Sequence, residues 1–462
     1  MVITEYSTEQ EARNALRGLL LPAWGSELNA MNRIDRWWRW NPKPIRLKKA
    51  TQEHRMLRDM GQTPWLRLVV TTLAQTLYLE GVDIQGADNQ QREADFWQPW
   101  ERSRMGRRQI ALHQSALAYG TAYTAVRAVD APDGGVESRI DCYSPRESIA
   151  LYDDPASDTF PQIFLRVRRI SPTQESFELW DSWNVWLWTR EQGSYTFVSC
   201  TPHLATDPHE RPVCPVVRYT NQQDLEGRTP GEVEPYIPLA SRLNKDNYDK
   251  LLAQHYNSWK VRTATGLDMG ELTDQQRAAK KVQMGQDDML AGGEGVSFGT
   301  LAETDLGNLV ESKQSDVEEL AAVSQTPTTA FGKMVNVGDA GIEESRAGFY
   351  AKRNERRASF GISHLDTLRL CAAVEGRYED AACFTMTPMW KDTDTRTMSQ
   401  AVDALGKAAQ MLGVPQQELW DMIPGVTKTM ADSWRDYQQA HPTPDDMAVK
   451  AYTAQLHQGT GE

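Results

Sequence analysis

Cysteine is scarce in this chain, and what there is does not pair. The five thiols, Cys142, Cys200, Cys214, Cys371 and Cys383, are scattered, odd in number, and form no C-x-x-C. That excludes a disulfide framework and a structural zinc site, and leaves free thiols in a reducing cytoplasm. Long apolar runs are missing too. Leu19-Leu20-Leu21 and the interrupted run over 66–79 fall short of the ~20 residues that span a bilayer. Glu5, Glu9 and Glu11 precede any basic residue, the wrong order for a secretory signal. Basic residues are outnumbered: 50 Lys and Arg against 63 Asp and Glu give a formal net charge of -13. Tight duplex binding rests on phosphate neutralisation, so the chain as a whole is not expected to grip DNA. An acidic wall along which a duplex slides remains compatible with that charge.

Catalytic signatures are equally lacking. There is no G-x-x-x-x-G-K-[ST]; Gly332-Lys333 has neither the upstream glycine nor the following hydroxyl. There is no G-x-G-x-x-G opening a helix, no H-E-x-x-H and no G-x-S-x-G, and the glycines of 292–299 read as a loop. His203 and His209 flank Pro208 without carboxylates placed to complete a metal site. Asp153-Asp154 and Asp392-Thr393-Asp394 stand in turn contexts, where turn chemistry accounts for them. No catalytic, cofactor-binding or metal-binding residue is assigned, and the chain is read as not an enzyme.

What the sequence does have is length, tryptophan and long helices. At 462 residues, two or more substructures are expected. The 15 tryptophans cluster at Trp37-Trp38-Trp40, Trp97-Trp100 and Trp180-Trp183-Trp186-Trp188, a weak sign of assembly interfaces. Residues 7–128 read mainly as helix: Trp65, Leu66, Val69, Leu73 and Leu77 recur at helical spacing, with Gly81 as the stop. A second helical segment carries Ile110, Leu112, Leu117 and Ala118 and ends at Tyr119-Gly120. From 121 to 220 short β-rich runs alternate with turns: 121–126, 138–143, 162–169, 176–180, 185–189, 195–200 and 215–219. Helix is predicted again over 238–259, over a short piece 273–284 inside a small polar module, over 305–324, and over 342–374. A further strand is expected at 384–386 and helices beyond 400. The fold class is α+β.

Two features stand out from this background. The first interleaves Arg33, Arg36, Trp37, Trp38, Arg39, Trp40, Lys43, Arg46, Lys48 and Lys49. Such a segment binds single strands by charge and stacking or anchors a subunit interface; in an acidic chain the interface is favoured, through Arg36, Trp37, Trp38 and Trp40. The second is the order long helix, small module, acidic helix, proline-broken loop, very long helix over 238–374. Two helices flanking a compact excursion make a stalk, which on its own gives a monomer too little core.

Several local patterns, in this order, resemble the portal proteins of tailed double-stranded DNA bacteriophages of the siphophage type. Ala116-Leu117-Ala118-Tyr119-Gly120-Thr121-Ala122-Tyr123 is similar to that family's helix-to-strand "ALxYGxAY" junction. Val213-Cys214-Pro215-Val216-Val217-Arg218-Tyr219-Thr220 with Asn221 is similar to its "PVVxFxN" strand. Asp316 to Leu320, then Thr326-Pro327 and Phe331-Gly332, resemble its inner stem helix and tunnel loop, and Arg346-Ala347-Gly348 opens a Lys/Arg-rich helix.

The resemblance implies a ring-forming chain divided as 1–225 wing, 226–259 stem helix, 260–304 clip, 305–325 second stem helix, 326–341 tunnel loop, 342–389 long wing helix and strand, and 390–462 crown and tail. It implies a dodecamer at one capsid vertex, assembled in the host bacterial cytoplasm. That ring is the channel for DNA packaging and ejection, docks the terminase large subunit and head–tail adaptor proteins, and nucleates capsid assembly with the major capsid and scaffolding proteins. Thr328, Phe331, Lys333, Met334 and Asn336 are the tunnel-loop residues expected near DNA, and Glu311, Asp316, Glu318 and Glu319 the channel-facing acids. The competing readings are another virion head or adaptor protein, a metal-dependent nucleic-acid enzyme using the Asp pairs, and a Trp-rich single-strand binder. No membrane contact and no cofactor are expected.

Overall fold

A computed structural model describes residues 5–40, 42, 45–47, 51–84, 90–132, 134–207, 209–258, 262–265, 297–300, 305–332, 339–393, 398–423, 425–426 and 428–441. The described residues form a mixed fold of helices and antiparallel strands. It divides into a large unit, Met1–Met389, and a smaller one, Trp390–Glu462.

The large unit begins with helix α1 (Glu9–Ala15), a π-helical turn (Leu16–Leu20) and α2 (Leu21–Trp38). A capping arrangement starts it: Thr8 Oγ1 accepts from the Glu11 N–H, and Glu11 reaches back to the Ser7 N–H. The π turn precedes Pro22, which has no N–H to continue the regular ladder. Then come α3 (Gln52–Met60), α4 (Trp65–Ala74), β1 (Leu79–Ile84), α5 (Gln90–Arg102) and α6 (Met105–Tyr119). Gly81, expected to stop a helix, lies inside β1. The helix ends earlier, at Gln75, where Thr76 Oγ1 donates to the Leu73 carbonyl at 2.8 Å.

Two antiparallel sheets follow, where the sequence suggested one β region. Strands β2 (Thr121–Asp130), β3 (Val136–Tyr143) and β9 (Val216–Thr220) form one in the order β3-β2-β9. Strands β4 (Ser148–Leu151), β5 (Ile163–Arg169), β6 (Gln174–Trp180), β7 (Asn184–Glu191) and β8 (Ser194–Pro202) form a five-stranded meander. Ala12, Leu16 and Leu20 pack on one face of the meander, against Ile163, Leu165, Phe177, Leu179, Trp186 and Trp188. The other face presents Phe164 and Trp180 to Tyr123, Ala125, Tyr143 and Val216 of the smaller sheet. Much of the tryptophan excess is therefore core: Trp100, Trp180 and Trp188 are fully buried.

The remaining long elements are α7 (Ile237–Ser258), the antiparallel pair β10 (Arg262–Thr265) and β11 (Ser297–Thr300), α8 (Leu306–Val323) and α9 (Asp339–Val374). A short α10 (Tyr378–Ala381) leads into β12 (Met386–Trp390), which pairs with β1. At 36 residues, α9 is about 54 Å long. It lies on the far side of the small sheet. Thr124 and Thr367 share a 2.8 Å hydrogen bond, and Tyr219 Oη meets His364 Nδ1 at 2.9 Å. Strand β2 is thus covered on both faces, which explains why its first six residues are all buried and show no alternation. The expected helix over 273–284 and the tail beyond 441 lie outside the described residues.

The smaller unit holds α11 (Met398–Leu412), a 3-10 turn (Gln416–Met422) and α12 (Lys428–Ala440). Gly413 closes α11 at φ 70°. Arg435 bridges Asp421 and Asp432, and Trp420 meets Trp434 edge-on at 6.0 Å.

Candidate functional site

The long helices α7, α8 and α9 meet at the connector 221–233, and that connector is far from a loose linker. Asn221, Glu232 and Val233 are buried. The Asn221 N–H donates to the Gly120 carbonyl at 2.9 Å and the Glu232 N–H to the Leu117 carbonyl at 2.7 Å, so carbonyls left open at the end of α6 are filled. Gly120 turns the chain at φ 98°, and a Cβ there would sit 1.9 Å from the Thr229 carbonyl oxygen. A Cβ on Gly231 would lie 2.5 Å from the Ala118 carbonyl oxygen. Glycine is required at both places by close backbone approach.

The charged half of α9 closes the same junction. Lys352 Nζ donates to Glu232 Oε2 at 2.5 Å and to the Ser324 carbonyl at 2.9 Å. Arg356 donates to Asn221 Oδ1 at 2.6 Å and to Glu232 Oε1 at 3.2 Å. Tyr236 Oη donates to the Val323 carbonyl at 3.1 Å. The last carbonyls of α8 thus receive a cation and a hydroxyl, which suits the negative end of a helix. Lys352, Arg353 and Arg356, in the Lys/Arg-rich half of the helix, are buried. Burial pushes the Lys352 ammonium pKa down, and Glu232 works against that shift.

Higher on the hairpin, Arg242 of α7 bridges Asp316 and Glu319 of α8. Asp246 lies beside them, its pKa raised to about 6 by burial and by its hydrogen bond with Asp316. Beyond α8, Gln325 adopts φ 50° and a 3-10 turn, Thr328–Phe331, ends at Gly332 with φ 85°. Phe331 meets Trp65 of α4 at 5.9 Å, and Lys313 Nζ lies 5.9 Å from the same indole.

The sequence-assigned residues fall as follows. Thr328 and Phe331 stand in the 3-10 turn, Phe331 against its own chain; Lys333, Met334 and Asn336 lie outside the described residues. Of the four acids, Asp316 and Glu319 engage Arg242, Glu318 accepts from Gln314, and Glu311 is exposed. Arg36, Trp37 and Trp38 end α2 half-buried, and Trp37 shares a small cleft with Arg58, Ser241 and Asn244 of the same chain. Trp40 adopts φ 64°. His203 is buried and bonded to the Asp181 carbonyl. Among the described residues no group of three or more His, Cys, Asp or Glu is placed to hold a metal, and no helix is long and apolar enough to cross a membrane. Sequence reasoning missed Glu232, Arg242 and Asp246; the Asp-and-Arg spacing between α7 and α8 becomes meaningful only once the hairpin is folded.

A family profile described as "Phage portal protein, SPP1 Gp6-like" matches residues 25–441. The chain belongs to that family. As a phage portal protein it is a structural component of the virion. No curated protein matches in sequence. Among solved structures, a chain of "Neck of empty GTA particle computed with C6 symmetry" is similar at 13% identity and TM-score 0.38, over 83% of this chain and 96% of that one. The motifs that carry the resemblance coincide with the junction just described: Ala116 to Tyr123 supplies Gly120, and Asn221, just after β9, is the partner of Arg356.

Proposed function

We propose that this portal protein assembles into a ring, twelve subunits in the reading given above, through which double-stranded DNA is packaged and ejected. The profile match over 25–441 carries the proposal. In it, α7 and α8 form the stem and the segment containing β10 and β11 the clip, which docks the terminase large subunit and later the head–tail adaptors. Residues 326–341 form the tunnel loop, 1–225 and α9 the wing, and 390–462 the crown. The ring seeds assembly with the capsid and scaffolding proteins at one vertex, in the host cytoplasm, and performs no catalysis.

The exposed Glu311 is the first candidate for the channel wall, with Glu318 behind it. Asp316 and Glu319 act first as anchors for Arg242. Acidic walls repel phosphate and let a duplex slide. The Trp37 and Trp38 rings, half-buried within the chain, offer an interface to a neighbour only through their outer edges. A closed ring needs head-to-tail contacts, so negative-stain images of the purified protein with scaffolding protein should show rings with a central hole and a narrow stalk. Monomers alone under those conditions would overturn the ring. If Lys333→Ala and Lys333→Glu leave packaging and DNA retention unchanged, the tunnel-loop contact is refuted.

A further inference from the structure

The turn that follows α8 is held at its two ends by contacts of very different strength. Its near end is the close of α8. The Thr326 N–H donates to the Ala321 carbonyl at 3.0 Å and the Gln325 N–H to the Ala322 carbonyl at 3.2 Å. This is a Schellman closure, with Gln325 at φ 50° where glycine is usual. Lys352 and Tyr236 take the carbonyls of Ser324 and Val323. The chain therefore leaves α8 in a fixed direction.

Past Thr326 the ties thin out. The 3-10 turn Thr328–Phe331 bonds mainly to itself: the Ala330 N–H donates to the Pro327 carbonyl at 2.9 Å, and the Gly332 N–H to the Thr329 carbonyl at 3.2 Å. Among the described residues, no hydrogen bond joins 327–331 to another element. The side-chain contact that reaches the wing is a pair of rings. Phe331 meets Trp65, the first residue of α4, at 5.9 Å with the planes tilted by 41°. The same indole faces Lys313 Nζ of α8 at 5.9 Å. Trp65 thus touches both the inner helix and the turn that leaves it.

Magnitude separates the two ends. A tilted aromatic pair shifts the balance between touching and parted rings by about two- to tenfold, and an accessible cation beside the ring adds a similar factor at most. The buried Lys352–Glu232 pair at the near end is far harder to break. The end of α8 therefore stays put when the turn lets go. Gln325 at φ 50° and Gly332 at φ 85° bracket the turn, so the backbone changes direction just before it and just after it. We propose that Trp65 is a positioning residue for the tunnel loop: acting through Phe331, it holds 327–331 against α4 and so sets where the rest of the loop starts. This rests on the channel reading of 326–341 given above.

Hydrogen exchange on the full chain, read at the Ala330 and Gly332 amides, tests the positioning without any ring. Phe331→Leu and Trp65→Leu should each speed that exchange about two- to tenfold. The double variant should go no faster than the faster single, because one contact is being removed. Trp65→Phe, which keeps a ring, should restore most of the protection. The Thr326 amide and the unfolding midpoint of Phe331→Leu should not move. Phe197→Leu, which removes an exposed ring of β8, should leave the amides of 330 and 332 unchanged. In assembled particles, Phe331→Leu and Trp65→Leu should alter DNA retention alike. Additive exchange changes, or none, overturn the proposal and leave the ring reading standing. Should Trp65→Leu fail to fold, unchanged exchange in Phe331→Leu alone overturns it. Coupled exchange changes with unaltered retention overturn it as well, by taking the tunnel-loop role away from this turn.

Discussion

Removal of Glu232 should be strongly destabilising. It sits between two cations of α9, with side-chain exposures of 4% for Glu232, 6% for Lys352 and 1% for Arg356. Breaking a buried ion pair from one side leaves an uncompensated charge and costs about 3–5 kcal/mol, out of a typical domain stability of about 5–15 kcal/mol. The two cations respond differently. Lys352, whose pKa burial already lowers, can discharge and still donate to the Ser324 carbonyl. Arg356 cannot discharge, so it carries the larger part of the cost, softened by its bond to Asn221 and by its ion pair with Glu355 at 2.9 Å. Glu232→Ala should therefore lose about 3–5 kcal/mol in urea unfolding, and Glu232→Gln, which keeps the shape and an acceptor oxygen, rather less. Adding Lys352→Met to Glu232→Gln should recover part of the loss, with a coupling of about 1–3 kcal/mol. A loss below about 1 kcal/mol for Glu232→Ala would refute the reasoning, because it would mean the junction opens to water around both cations.

Gly120→Ala and Gly231→Ala should each lower the unfolding free energy by about 3 kcal/mol or more, since the new methyl would overlap a backbone carbonyl. Gly134→Ala, also at positive φ but with open space around it, should cost only about 1–2 kcal/mol. Stability should fall with acid because of His113. Complete burial lowers its pKa from 6.5 to about 4, so the unfolded chain takes up the proton first and protons favour unfolding. About 3 kcal/mol should disappear between pH ~6.5 and ~4, and denaturant midpoints across that range for the wild type and His113→Gln will show it; parallel curves would refute the assignment. Arg242→Ala removes an exposed bridge and should cost under about 1 kcal/mol, yet it should raise the Asp246 pKa further, because Arg242 opposes the shift. Carboxyl carbon shifts followed against pH read that directly.

Much of the fold was legible because its elements carry periodic signals. The turn at Gly120, the strands over 121–220 and the long helices ending at 258, 323 and 374 all appear within a few residues of where spacing and turn chemistry put them. What failed did so for a physical reason. Strand β4 is four residues long, too short for alternation to register. The division of the 121–220 strands into two sheets was not legible, because a local pattern reveals strands without saying how they pair. Gly81 misled because a glycine after a helical stripe serves equally as a cap or as a strand residue. The burial of the Lys/Arg-rich start of α9 was not legible because burial of charge depends on a distant partner, here Glu232 in the polar stretch before α7.

That last failure bears on why the family was recognisable while its working surfaces were not. The matching motifs hold Gly120, Tyr219 and Asn221, each fixed by a constraint that leaves little choice: a carbonyl too close for a Cβ, a hydroxyl buried against His364, an amide spanning Arg356 and the Pro230 carbonyl. Such positions look alike in any chain that builds the same junction. Residues that meet DNA or a partner face no such constraint from their own chain. Glu311 is exposed, so many side chains would satisfy the fold there. The junction that names the family is thus a scaffold, through which Lys352 and Tyr236 fix the end of α8. A perturbation at Glu232 should change where the loop after α8 begins without touching any residue proposed to line the channel.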